Sequence, residues 1–195
     1  LDSDDLPLNI SRETLQENPH LLKIKNTLVA KFLSHLQELA RTDEAKYLEI
    51  WRQHGRVLKE GYADFTQREK LAELLRFNSS KSADEKELIS LQTYVERMPE
   101  KQAEIYYLSG PTRETVSRNP ILEIFKAKEI EVLYCYEPID EFALPGMMEY
   151  KGKKFKSADQ ADVKTLNDLP DKTAEKPAAD YDKKDMDRLA RRIKD

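Results

Sequence analysis

Arg12 and Gln16 stand four residues apart in "LPLNISRETLQENP", Leu6 to Pro19. On a helix that spacing places an always-charged planar guanidinium beside a neutral amide on one face. A guanidinium can stabilise the charge on a transferring γ-phosphoryl group, and an amide can orient water or hold a loop beside it. A cation in the first helical turn costs on the order of 0.3–1 kcal/mol against the helix dipole. The position therefore calls for an anion from elsewhere, unless Arg12 is an exposed charge balanced locally by Glu13.

Other groups are less suited to chemistry. "EPIDE" sets Glu137, Asp140 and Glu141 at the carboxyl end of an expected strand, the edge where open α/β sheets bind ligands. A magnesium site is conceivable there, but acids in the first turn after Pro138 are favoured by the helix dipole without any ligand. "LSGPTRE" has one glycine, Gly110, and matches neither dinucleotide nor P-loop spacing, so it reads as a plain turn. His20, His35 and His54 lack a second ligand four residues away, and Cys135 alone builds no zinc site. Cys135 in "VLYCY" and Trp51, which shares a face with Tyr47 and Leu58, read as core residues.

These groups need elements to position them. Ser11 can cap a helix that Asn18-Pro19 interrupts, and Leu21 to Leu39 then recur at helical spacing. A second helix is expected from Thr42 to near Gly61, and a third opens at "TQRE", a capping box starting at Thr66. "NSSKSADEKE" reads as a surface loop, followed by the short helix "LQTYVERM" after Ser90. "IYYLSG", a helical stretch broken at Asn119-Pro120, and "IEVLYCYE" then form a strand-helix-strand crossover with parallel strands. A helix broken or kinked at Pro145-Gly146 follows, and "KGKKFK" reads as a charged edge strand or turn. Residues 159–180 read as a linker, and "DKKDMDRLARRIKD" starts an amphipathic helix through Met186, Leu189 and Ile193.

The expected fold class is mixed α/β. A last strand and loop of a preceding lobe would occupy residues 1–10, a helical coil 11–99, and a small three-layer αβα lobe with a short parallel sheet 100–158. A linker and first helix of a further domain would fill 159–195. The 33 basic and 37 acidic residues, net −4, give no single-sign field for nucleic acid, and no stretch is long and apolar enough to span a bilayer. A lone cysteine makes a reducing compartment the default. From the start at Leu1, in mid-pattern, the chain is expected to be a piece of something longer.

"DSDDLPLNISRETLQEN", "IWRQHGRVLKEG", "LAELLRF", "SLQTYVERM", "IYYLSG", "EVLYCYEPIDEFA" and "YKGKKFKS" together resemble the middle domain of the heat-shock protein 90 chaperones, in that family's order and spacing, with phrasing close to the bacterial, HtpG-like members. The resemblance runs from Asp2 to about Ser157. It implies the second half of a split ATPase, with ATP and its magnesium bound mainly by a separate N-terminal domain and no cofactor in this piece alone. Arg12 matches the arginine that contacts the γ-phosphate, Gln16 the glutamine beside it, and Asn9 a supporting position; Leu6, Leu8 and Ile10 match the apolar segment near the interdomain contact. It further implies client proteins and the chain's own N-terminal ATPase domain as partners, a homodimer in the full-length protein, a role in the stress response, and a cytoplasmic location rather than the mitochondrial matrix. The piece alone is expected to be monomeric, because the Met186, Leu189 and Ile193 face is too short to replace a dimer interface of some 1,200–2,000 Å².

Two other readings stand beside this one. A non-catalytic docking module with a helical body and Rossmann-like lobe accounts for the same pattern, and a small nucleotide-binding enzyme using "EPIDE" lacks a glycine-rich phosphate loop.

Overall fold

The computed structural model describes residues 19–64, 66–162 and 166. Helix α1 (Pro19–Thr42) carries Leu33 and Leu36 on its buried face, at the three-residue spacing that keeps side chains on one side. Asp43 caps helix α2 (Glu44–Glu60) by accepting the backbone N–H of Lys46 at 3.1 Å. The expected start at Thr42 is therefore two residues early: Thr42 closes α1, its hydroxyl bonded back to the Glu38 carbonyl. Helix α3 (Arg68–Leu74) is not opened by a capping box at Thr66 either. The Thr66 hydroxyl and N–H both turn to the Asp64 carboxylate, two residues back.

The segment expected as helical coil and loop also contains strands. β1 (Arg76–Ser79) is buried along its whole length and β2 (Ile89–Ser90) pairs with it antiparallel. The short helix expected after Ser90 is α4 (Leu91–Arg97), and Ser90 caps it by accepting the Thr93 N–H. Strand β3 (Glu104–Ser109), helices α5 (Arg113–Ser117) and α6 (Leu122–Ala127), and strand β4 (Leu133–Cys135) form the crossover with parallel strands, and the helical stretch is broken at Asn119-Pro120. Helix α7 (Asp140–Met147) passes through Pro145, and β5 (Glu149–Tyr150) and β6 (Lys153–Ser157) complete a six-stranded sheet of order β2-β1-β4-β3-β6-β5.

Its centre, β4-β3-β6, is parallel, while β1 joins β4 and β5 joins β6 antiparallel. The expected parallel sheet is thus the middle of a mixed one. "KGKKFK" also supplies an inner strand, β6, rather than the edge; its lysine-rich start makes the turn to edge strand β5.

Both faces of the sheet are covered. Ile105, Leu133 and Cys135 point into one core with α1, α2, α3, α4 and α7, while Tyr106, Leu108 and Tyr134 alternate into a second core with α5 and α6. That alternation explains the near-continuous apolar run of β4. The result is three layers, helices on both faces of a sheet.

β1 escaped sequence detection because "RFNS" is three-quarters polar, yet each of its polar side chains finds hydrogen-bond partners inside, with only Arg76 Nε left buried without one. Arg76 donates through Nη1 to the carbonyls of Glu73, Leu74 and Leu75 and stacks 4.7 Å from the centre of the Tyr47 ring. Asn78 donates to the carbonyls of Asp84 and Glu87. The Ser79 hydroxyl donates to buried Glu131.

Candidate functional site

Arg12, Gln16 and Asn9, with Leu6, Leu8 and Ile10, lie outside the described residues, as do Met186, Leu189 and Ile193. Among the described residues, buried charges of opposite sign meet where α2 crosses the carboxyl end of β4. Trp51, Gly55, Leu58 and Lys59 fall on one buried face of α2. Gly55 is there because the Trp51 indole lies against it: a Cβ would sit 2.8 Å from the ring. Lys59 is 3% exposed, and its ammonium reaches Asp140 Oδ1 at 2.7 Å and Glu137 Oε2 at 3.4 Å. The rings of Phe77 and Trp51 flank it at 5.0 and 5.8 Å from their centres.

Asp140 is itself held in place. Its Oδ2 accepts the backbone N–H of Glu137 at 3.1 Å, closing the turn that starts α7. Burial pushes its carboxyl above the usual aspartate range, opposed by the Lys59 ammonium and the Glu137 N–H. Neither earlier account of "EPIDE" is complete: Asp140 does lie in the first turn of a helix, but its partner is a buried lysine from another layer. Among the described residues no group of three metal-ligating side chains forms. Glu141 is exposed, as are His35 and His54.

A cavity of about 260 Å³ abuts this pair. Arg52, Arg56 and Lys59 line it from α2 at i, i+4 and i+7, and Glu85, Tyr136 and Glu137 face them. Cys135 is buried nearby, its thiol pushed well up by burial and by Asp140, so it is a core residue without nucleophilic character, as is expected of it from sequence. Trp51 is likewise buried. Sequence reasoning missed Lys59. The available signal was its place at i+8 from Trp51, one residue past Leu58, on the helix face that must be buried.

This arrangement offers no nucleophile and no metal cage; it joins a helical layer to a sheet through a buried ion pair. The fold it belongs to is a mixed α/β domain of three layers. The family model described as Hsp90 protein matches residues 1–195. The HtpG chaperone of Oleidesulfovibrio alaskensis is 50% identical over 171 residues, 88% of this chain and 27% of that protein, and that of Coxiella burnetii is 40% identical over the whole chain and 30% of its own length. The middle domain of a putative heat shock protein of Plasmodium falciparum superposes with a TM-score of 0.68 at 36% identity, covering 74% of this chain and 61% of that one. The chain belongs to the Hsp90 family. It spans less than a third of the length of these two bacterial relatives.

Proposed function

We propose that this chain is the middle part of an ATP-dependent chaperone, which brings Arg12 to the γ-phosphate of ATP held, with magnesium, mainly by a separate N-terminal domain of the same protein. Gln16 stands beside Arg12 to orient water or the loop, and Asn9 supports the loop. The intact protein acts as a homodimer on unfolded client proteins in the cytoplasm. The observation that carries this reading is family membership across residues 1–195, which includes the segment "LPLNISRETLQEN". It answers why an arginine stands at an expected helix start, where the dipole disfavours it.

The test is Arg12→Ala in the full-length protein. Turnover should fall, by about 10³ where the phosphoryl step limits and by less where closure limits, with nucleotide affinity nearly unchanged because the ATP pocket belongs to another domain. Gln16→Ala should act in the same direction more mildly, and the chain alone should hydrolyse no ATP. Equal kcat for wild type and Arg12→Ala, with folding intact, refutes the proposal.

A further inference from the structure

Arg76 is 4% exposed, yet only part of its guanidinium is used. Nη1 donates to the carbonyls of Glu73, Leu74 and Leu75. Nε is buried without a hydrogen-bond partner, and Nη2 makes no hydrogen bond among the described residues. Those two nitrogens form the side edge of the guanidinium, a fork that matches both oxygens of one carboxylate. Glu44 does not fill it: its Oε1 stops 3.9 Å from Nε, beyond hydrogen-bond distance, on a side chain 62% exposed. Burial disfavours the charged form of Arg76, so an open fork on it is an unmet demand for an acceptor.

Arg76 also lines a cavity of about 470 Å³ between the second half of α1 and the start of α4, a size within the range of small-molecule sites. Arg41 adds a second, exposed cation to its wall and Tyr150 a phenol. Burial pushes that phenol up to about 12, and the nearby Arg76 charge opposes the rise. The two acids of the wall are already engaged, Glu38 with Arg41 at 2.8 Å and Glu73 with the Gln37 amide at 2.6 Å.

We propose that this cavity is a carboxylate site, in which one carboxylate of a ligand seats its two oxygens on Nε and Nη2 of Arg76 with Arg41 beside it. Glu38 and Glu73 favour a singly charged group there over a phosphate dianion, because like-charge repulsion grows with the ligand's charge. A free small carboxylic acid and an acidic side chain of a peptide offer the same chemistry. The site stands whether or not Arg12 serves a phosphate, and it uses none of the groups of the Lys59 joint.

The experiment follows the Nε–H signal of Arg76 by proton–nitrogen NMR in the 195-residue chain, assigned through its own side-chain spin system. The probes are acetate and an acetylated, amidated Ala-Glu-Ala peptide, titrated through the millimolar range at constant ionic strength against sodium chloride and the matching Ala-Gln-Ala peptide. Acetate should move the signal saturably, and chloride and the glutamine peptide should not. Tighter binding of the glutamate peptide than of acetate assigns the site to peptide side chains; equal or weaker binding assigns it to free small acids. Arg76→Lys keeps the charge but loses the fork, so acetate affinity, read at the Ser90 and Tyr150 amides, should fall about tenfold or more. Glu44→Gln should leave the affinity unchanged or raise it. No saturable shift with acetate, an equal shift with chloride, full affinity in Arg76→Lys, or a loss of affinity in Glu44→Gln overturns the site. Should Arg76→Lys fail to fold, the contrast between acetate and chloride in the wild type decides alone.

Discussion

Replacing Lys59 by methionine keeps most of the buried stem and removes only the charge, which isolates what the ion pair contributes. Asp140, 2% exposed, would lose the cation 2.7 Å away and keep only the Glu137 N–H. Breaking one side of a buried pair costs about 3–5 kcal/mol, because the remaining charge stays desolvated. With a urea slope near 2 kcal/mol/M, the unfolding midpoint should fall by roughly 1.5–2.5 M. Trp51 fluorescence follows the transition directly, since its ring lies beside the lysine. The deficit should shrink at acid pH. Burial already raises the Asp140 pKa in the native state, so the folded protein holds more protons than the unfolded chain between the ordinary and raised values. Stability from this group is therefore full below that window and is lost as pH rises through it. Lys59→Met/Asp140→Leu, which removes both charges, should recover most of the loss. A single-variant cost below about 1 kcal/mol, the size of an exposed pair, would refute the reasoning; so would a double variant no more stable than the single.

Tyr94→Phe should destabilise strongly for its size. The hydroxyl donates to the Glu131 carbonyl at 2.6 Å and accepts from the Tyr106 N–H and Gln102 Nε2, and stranding buried groups costs about 1–3 kcal/mol each; thermal unfolding measures it. Gly146→Ala should cost about 1–3 kcal/mol by overpacking against Tyr62, and in calorimetry a companion Tyr62→Ala should relieve part of that strain. Alkaline pH should weaken the fold before the buried phenols ionise: burial pushes Tyr47 and Tyr150 up to about 12, so the unfolded chain loses those protons first and stability falls as pH rises toward 12. Urea midpoints across that range check the sign, and Tyr47→Phe should flatten the slope, since Arg76 still donates to the Leu74 carbonyl that the Tyr47 hydroxyl now reaches.

Local sequence determined the elements whose signals are local. Apolar spacing along Leu33 and Leu36, the serine at Ser90, the proline at Pro120 and the apolar run at Leu133 to Cys135 each act within a turn or a strand's length. They fix a helix, a cap, a break and a covered strand whatever lies beyond. The quoted motifs, matched in order, also placed the chain in its family. What needed the tertiary structure was every feature that depends on a distant partner. "RFNS" is a strand only because Glu131, Arg113 and the Tyr47 ring wait for its polar side chains. Thr66 looks like a cap, yet an aspartate two residues back takes its hydroxyl. Asp140 reads as a helix-start acid until Lys59, eighty-one residues away in sequence, is folded onto it. A buried charge is tolerated only when paired, and pairing across layers leaves no periodic trace in the chain.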